Sequence, residues 1–212
     1  MKYKPTIWLF MTSRLKKGLS TCWPREDVKK LLVKAKPIYK DILSRMKGIS
    51  DNNPMASNIT MSFVIISIWL ASERKITPDQ MSEVMKIALD WKPMKMFCGM
   101  IDMNTEKGIR NFGKMMHKNA DWATKHPEDT NNWDFNFDEN LHKDGFYYHF
   151  TRCPIAAFCK EYGYEEINPV LCNIDFITMS MMHSRLIRKH TVAEGAGICD
   201  YWTVGNKIAD PQ

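Results

Sequence analysis

The chain has 212 residues, 44% of them apolar and 25% charged, with six cysteines and a formal net charge of +6. That length can bury a sizeable core as one domain, or as one domain carrying a helical lobe. The positive charge is scattered as Lys-Lys and Arg-Lys pairs among acids, with no basic run, which argues against a nucleic-acid partner and favours a small anionic substrate.

The apolar run Thr6–Met11 is short and no small-residue cleavage site follows it, so it does not read as a signal peptide. Ile59–Ala71 is too short to cross a bilayer core of about 30 Å. The expectation is therefore a cytoplasmic, reducing compartment with no membrane partner, in which the cysteines serve as thiols, ligands or nucleophiles rather than as disulfides.

In chain order, residues 1–22 mix Pro5, Gly18 and an uneven apolar pattern, which reads as an irregular arm or a short first helix. Pro24 stands at a first helical position, Glu26 and Asp27 follow in the first turn, and Val28, Leu31, Leu32 and Ala35 recur at helical spacing. Pro37 predicts a kink or restart, and Gly48 a stop. A second helix from Asn53-Pro54 to about Lys75 is apolar most of the way round, as the middle of a bundle should be. Thr77-Pro78-Asp79-Gln80 spells a capping box with proline at the first helical position, and that helix ends before Pro93. A fourth helix runs from Asn104 or Thr105 to about Lys125, where His126-Pro127 disfavours continuation. Cys22, the Met94–Cys98 cluster and most of the sixteen methionines read as packing.

Past residue 128 the period falls to two. Trp133, Phe135 and Phe137 alternate with Asp134, Asn136 and Asp138, Lys143-Asp144-Gly145 turns the chain, and Phe146–Thr151 returns. In this returning strand Phe146, Tyr148 and Phe150 share one face, and Tyr147 and His149 the other. Pro154 starts a helix that Gly163 ends, leaving Cys153 at the cap, where first-turn amides and neighbouring Arg152 predict a depressed thiol pKa. Asn168-Pro169 starts another helix, in which Cys172 and Asp175 share a face. A carboxylate among Val170, Leu171, Ile174, Phe176 and Ile177 needs a polar pocket or a partner such as Arg185 or Arg188. Leu186–Val192 and Ile198–Val204 read as a second hairpin joined through Gly195 and Gly197, whose backbone freedom permits turns close to a ligand, with Cys199 opening the last strand. The expected class is α+β: a helical lobe, residues 1–127, packed on a small antiparallel sheet of two hairpins with intervening helices, residues 128–212.

Thr151-Arg152-Cys153-Pro154, then Leu171-Cys172-Asn173-Ile174-Asp175, then Glu194–Asp200 together resemble the L-2-amino-thiazoline-4-carboxylic acid hydrolase family, in which a C-P, a C-x-x-D and a G-x-x-x-C-D element follow one another. The resemblance covers roughly residues 130–204. Members usually continue the last element with phenylalanine and arginine, where this chain has Tyr201-Trp202. The resemblance implies a hydrolase acting on a C–N bond of a cyclic amidine, opening a 2-aminothiazoline ring at its amidine carbon toward carbamoyl cysteine.

Three chemistries suit these residues. In the preferred one, Cys153 or Cys172 is the nucleophile, Asp175 moves protons with His149 or His183, Cys199 belongs to the same catalytic set, and no cofactor is needed. In the second, Cys153, Cys172, Cys199 and Asp175 or His149 bind zinc, although no C-x-x-C or H-x-x-x-H pair is present. In the third, the pocket holds a small ligand without reaction. His149, Arg188, Gly195, Gly197 and Tyr201 are the candidate substrate-binding residues, and Tyr147, Tyr148 and Trp202 are available to floor a pocket. Cys153, Cys172, Asp175 and Cys199 are expected around one concavity, with Cys153 carrying the larger thiolate fraction. The oligomeric state stays open.

Overall fold

A computed structural model describes residues 1–138 and 140–212. Six helices come first: α1 Pro5–Cys22, α2 Arg25–Arg45, α3 Ala56–Ala71, α4 Pro78–Leu89, α5 Lys92–Cys98 and α6 Glu106–Lys125. There follow β1 Phe135–Phe137, β2 Phe146–Phe150, α7 Pro154–Tyr162, α8 Asn168–Ser180, β3 Ser184–Ile187 and β4 Cys199–Gly205. The α+β class is as expected. No helix among the described residues is long and apolar enough to cross a membrane.

Helix α3 is the centre of the helical part because its apolar residues run round the whole cylinder. Ile59, Phe63, Val64, Ile66, Ile68 and Trp69 are all fully buried, each worth roughly 1.5–3 kcal/mol. Helices α1 and α2 pack against it, and Phe158 of α7 meets Phe63 at 4.4 Å between ring centroids. The capping box of α4 is present in both directions: Gln80 N donates to Thr77 Oγ1 at 3.3 Å, and Thr77 N to Gln80 Oε1 at 3.0 Å. Thr77→Ala is expected to cost about 1 kcal/mol and lower the melting temperature by about 2–4 °C, as read by thermal unfolding.

Three local expectations need correction. Residues 1–22 hold a full helix, α1, because Trp8, Met11, Leu15 and Leu19 form a buried stripe that tertiary packing rewards despite Gly18. Helix α2 runs through Pro37, which faces solvent, so the carbonyl it leaves unpaired can turn to water. The Met94–Cys98 cluster, read as packing, lies in the short helix α5, which has no buried residue and leaves Met96 and Phe97 exposed.

The sheet is antiparallel throughout, in the order β1-β2-β4-β3. In the β2–β4 ladder Phe150 pairs with Cys199, Tyr148 with Tyr201 and Phe146 with Thr203; His149 pairs with Asp200, and Tyr147 with Trp202. Cross-strand partners share a face. The first set faces the helices: Phe112 of α6 lies 5.9 Å from Phe146, and Thr203 Oγ1 lies 4.0 Å from the Met179 sulfur of α8. The second set faces the other way. Strand β3 ends at Ile187 rather than Val192 because the Asp200 carboxylate takes the amides of Lys189, at 3.1 Å, and His190, at 2.6 Å. Val192–Glu194 then forms a single 3-10 turn.

Candidate active site

Helix α8 and strands β3 and β4 bring together a buried polar group built on Arg188. Only 4% of the Arg188 side chain is exposed. Its Nη1 donates to Asp175 Oδ2 at 3.2 Å and to the Tyr201 hydroxyl at 3.4 Å, and its Nη2 donates to the Cys172 carbonyl at 3.1 Å. The guanidinium also sits 4.7 Å from the Phe176 ring centre. Burial works against this charge, but Tyr201 and Asp175 outweigh it and hold Arg188 above its ordinary pKa. Asp175 Oδ2 accepts a second bond, 2.6 Å long, from the Tyr201 hydroxyl, and Tyr201 is stacked on Tyr148 at 5.0 Å. Asp175 Oδ1 accepts no hydrogen bond from any described residue.

Burial pushes the Asp175 carboxyl up from its ordinary value, and the Tyr201 hydrogen bond and the Arg188 charge oppose the rise. The geometry therefore offers a carboxylate fixed through one oxygen, with the other free to exchange a proton.

Three thiols surround this group. Cys153, Cys172 and Cys199 are close enough for their charges, and that of Asp175, to act on one another. Cys153 caps α7, as its proline and the glycine at 163 required. Its expected depressed pKa is overturned: burial pushes the thiol up to about 11, although the amides of Ala156 and Ile155 pull the other way. Arg152, which was to assist, turns away to donate to the Asn132 carbonyl at 2.8 Å. Burial raises Cys172 to about 12. Cys199 is also raised by burial, while its sulfur accepts a bond from Val192 N at 3.1 Å. Neither Cys153 nor Cys172 is a resting thiolate near neutral pH. Cys159 is fully buried inside α7, whereas Cys22, expected to pack, is exposed at the end of α1.

A cleft of about 250 Å³ reaches Arg188 and Cys172 and is further lined by Pro169, Asn173, Phe176, Lys189 and residues of the following turn; Asp175, Tyr201, Cys153 and Cys199 lie behind these and do not line it. Cys172 is the thiol in its wall. Several expected members stand elsewhere. His149 lies on the opposite face of the sheet from Tyr148 and Tyr201, its buried Nδ1 unbonded, because a strand residue of odd register cannot face both ways. Trp202 shares that face, stacked on His142 at 3.7 Å, as does Tyr147. His183 is exposed in the turn after α8. Gly195 is needed for its φ of +87°, and neither it nor Gly197 lines the cleft; space around both is open. Asn173, Phe176 and Lys189 were not singled out from sequence. The signal for the first two is their place beside Cys172 and Asp175 on α8, which the apolar run masks.

Among the described residues, no three His, Cys, Asp or Glu side chains converge so as to hold a metal ion. The three thiols do not fit a zinc set.

A model of the family described as L-2-amino-thiazoline-4-carboxylic acid hydrolase matches residues 57–203, from α3 through β4. No curated protein and no solved structure matches the chain. The match begins well before the three cysteine elements and takes in the helices that bury them, so it spans well over half the sequence. On that span the chain belongs to the L-2-amino-thiazoline-4-carboxylic acid hydrolase family.

Proposed function

We propose that the protein is a thiol hydrolase that opens a small cyclic amidine, with Cys172 as nucleophile and Asp175 as proton carrier. The observation that carries this reading is the placing of the Cys172 thiol in the wall of the cleft, one helical turn from a carboxylate held by Tyr201 and Arg188. Cys172 replaces Cys153 as first choice because Cys172 lines the cleft and Cys153 does not.

A thiol raised to about 12 must lose its proton as it attacks, not before. Asp175 Oδ1 takes that proton while the sulfur adds to the amidine carbon and the C=N electron pair moves to nitrogen. Collapse of the adduct breaks one ring bond, Asp175 returns the proton to the departing ring atom, and the product fragment stays on sulfur. Water then adds to the same carbon, giving its proton to Asp175, and the thiol leaves reprotonated. The sum is substrate plus water. Lys189 at the cleft mouth suits a substrate carboxylate.

The test is incubation with 2-aminothiazoline-4-carboxylate and detection of the hydrated product. Breaking the ring C–S bond releases a free thiol, and breaking the C–N bond a free amine, so colorimetric thiol and amine assays identify which bond opens. Absence of turnover of this and related cyclic amidines would remove the reading. The acid limb of kcat/KM should titrate above 3.8, the ordinary value for aspartate, because burial raises Asp175 and the base form is the unprotonated one. Tyr201→Phe removes a bond that stabilises this carboxylate, so the limb should move to higher pH. An unmoved or downshifted limb counts against Asp175 as the titrating group.

A further inference from the structure

Helix α5 has no buried residue. Met94 and Cys98 turn toward the body of the protein, while the outward ridge carries Lys92, Met96 and Phe97 and continues to Met100. Met96 is 66% exposed, Phe97 74% and Met100 79%. A surface helix ordinarily sends polar residues outward, whereas these three apolar side chains stay largely exposed. Helix α1 enlarges the patch, since exposed Phe10 lies 5.6 Å from Trp91, the residue that caps α5, with exposed Leu9 beside it.

The rim is basic. The Arg14 guanidinium lies 5.1 Å over the Trp91 ring, Lys92 and Lys95 stand on α5, and Lys17 is near enough to act on Asp90. Asp90 is itself paired with Lys95 at 2.5 Å.

We propose that this patch seats the protein on the surface of an anionic lipid bilayer, with Met96, Phe97 and Met100 entering the headgroup region and Arg14, Lys17 and Lys92 meeting lipid phosphates. An aromatic and thioether ridge with a basic rim is the pattern of elements that lie flat in the interface, their apolar side buried roughly 5–10 Å deep. A second copy of the chain fits less well, because a two-fold contact sets the basic rim against itself. The expectation of no membrane partner rested on the lack of a spanning segment, which says nothing of a helix lying flat. The inference is independent of the proposed hydrolase chemistry.

Co-sedimentation of the full chain with extruded vesicles tests it. The protein should pellet with phosphatidylglycerol–phosphatidylcholine vesicles at low salt and stay in the supernatant with phosphatidylcholine alone. Lys92→Gln should weaken partitioning about fivefold, and added salt should weaken it progressively. The triple change Met96→Ser, Phe97→Ser, Met100→Ser should weaken it more than about tenfold, with an unchanged circular dichroism spectrum showing the fold intact. Three results would overturn the proposal: a wild-type protein that never pellets, a folded triple variant that binds like wild type, or a wild-type dimer in analytical ultracentrifugation that the triple change turns to monomer.

Discussion

Cys172→Ala is expected to lower kcat/KM for a cyclic amidine substrate by roughly 10⁴-fold or more, with the fold intact. The size follows from what alanine removes. The cleft can still bind the ring through Asn173, Phe176 and Lys189, but the atom that forms the covalent bond is gone, and water must attack an amidine without an activated nucleophile. Cys172→Ser should fare little better, since a hydroxyl gives up its proton to Asp175 less readily than a thiol. Cys153→Ala is the control. Cys153 acts on the site only through its charge and packing, so its loss should cost about tenfold or less. Steady-state kinetics on the three variants orders the thiols, and an inactive Cys153→Ala beside an active Cys172→Ala would reverse the assignment.

Arg188→Met is expected to destabilise the protein by about 3 kcal/mol near pH 7, because removing one partner of a buried pair leaves the other charge unsatisfied. Methionine fills similar volume, so the loss reflects the bonds to Asp175, Tyr201 and the Cys172 carbonyl rather than a cavity. The pH dependence gives the sign. Asp175 is raised in the fold above 3.8, so the fold favours its protonated form. Its contribution to stability is fully present below 3.8 and is lost as pH rises through the folded value. Without Arg188 that folded value rises further, so the variant should lose more stability on going to neutral pH than the wild type does. Urea unfolding at about pH 4 and about pH 7 reads this difference; an equal deficit at both would mean that Arg188 acts through packing alone.

What the sequence made legible was local. Thr77 and Gln80 announced their capping box because both partners lie within one turn, and Cys153, Pro154 and Gly163 marked the two ends of α7 for the same reason. Cys172 and Asp175 on one face of α8 follow from helical spacing, and the faces of β2 from its alternation. What was not legible depends on distant partners. Asp175 was seen to need a base, but the choice of Arg188 over Arg185 is made by the β3 register, which sends Arg185 to the carbonyls of Ile208 and Ala209 instead. Tyr201 reaches Asp175 across 26 positions, and its hydroxyl gives the Tyr201-Trp202 departure a physical role that a phenylalanine at that position lacks. The Cys153 pKa failed because helix-end amides are visible in a sequence and burial is not.

The most direct test of the account is to trap the reaction on the enzyme. Wild-type protein mixed with 2-aminothiazoline-4-carboxylate, quenched in acid within the first turnover and digested for peptide mass mapping, should carry a substrate-derived adduct on Cys172. The adduct should be lost in Cys172→Ala and should form far more slowly in Asp175→Asn, which lacks the base that takes the thiol proton during attack. An adduct on Cys153, or full turnover by Cys172→Ala with no adduct on any thiol, would contradict it.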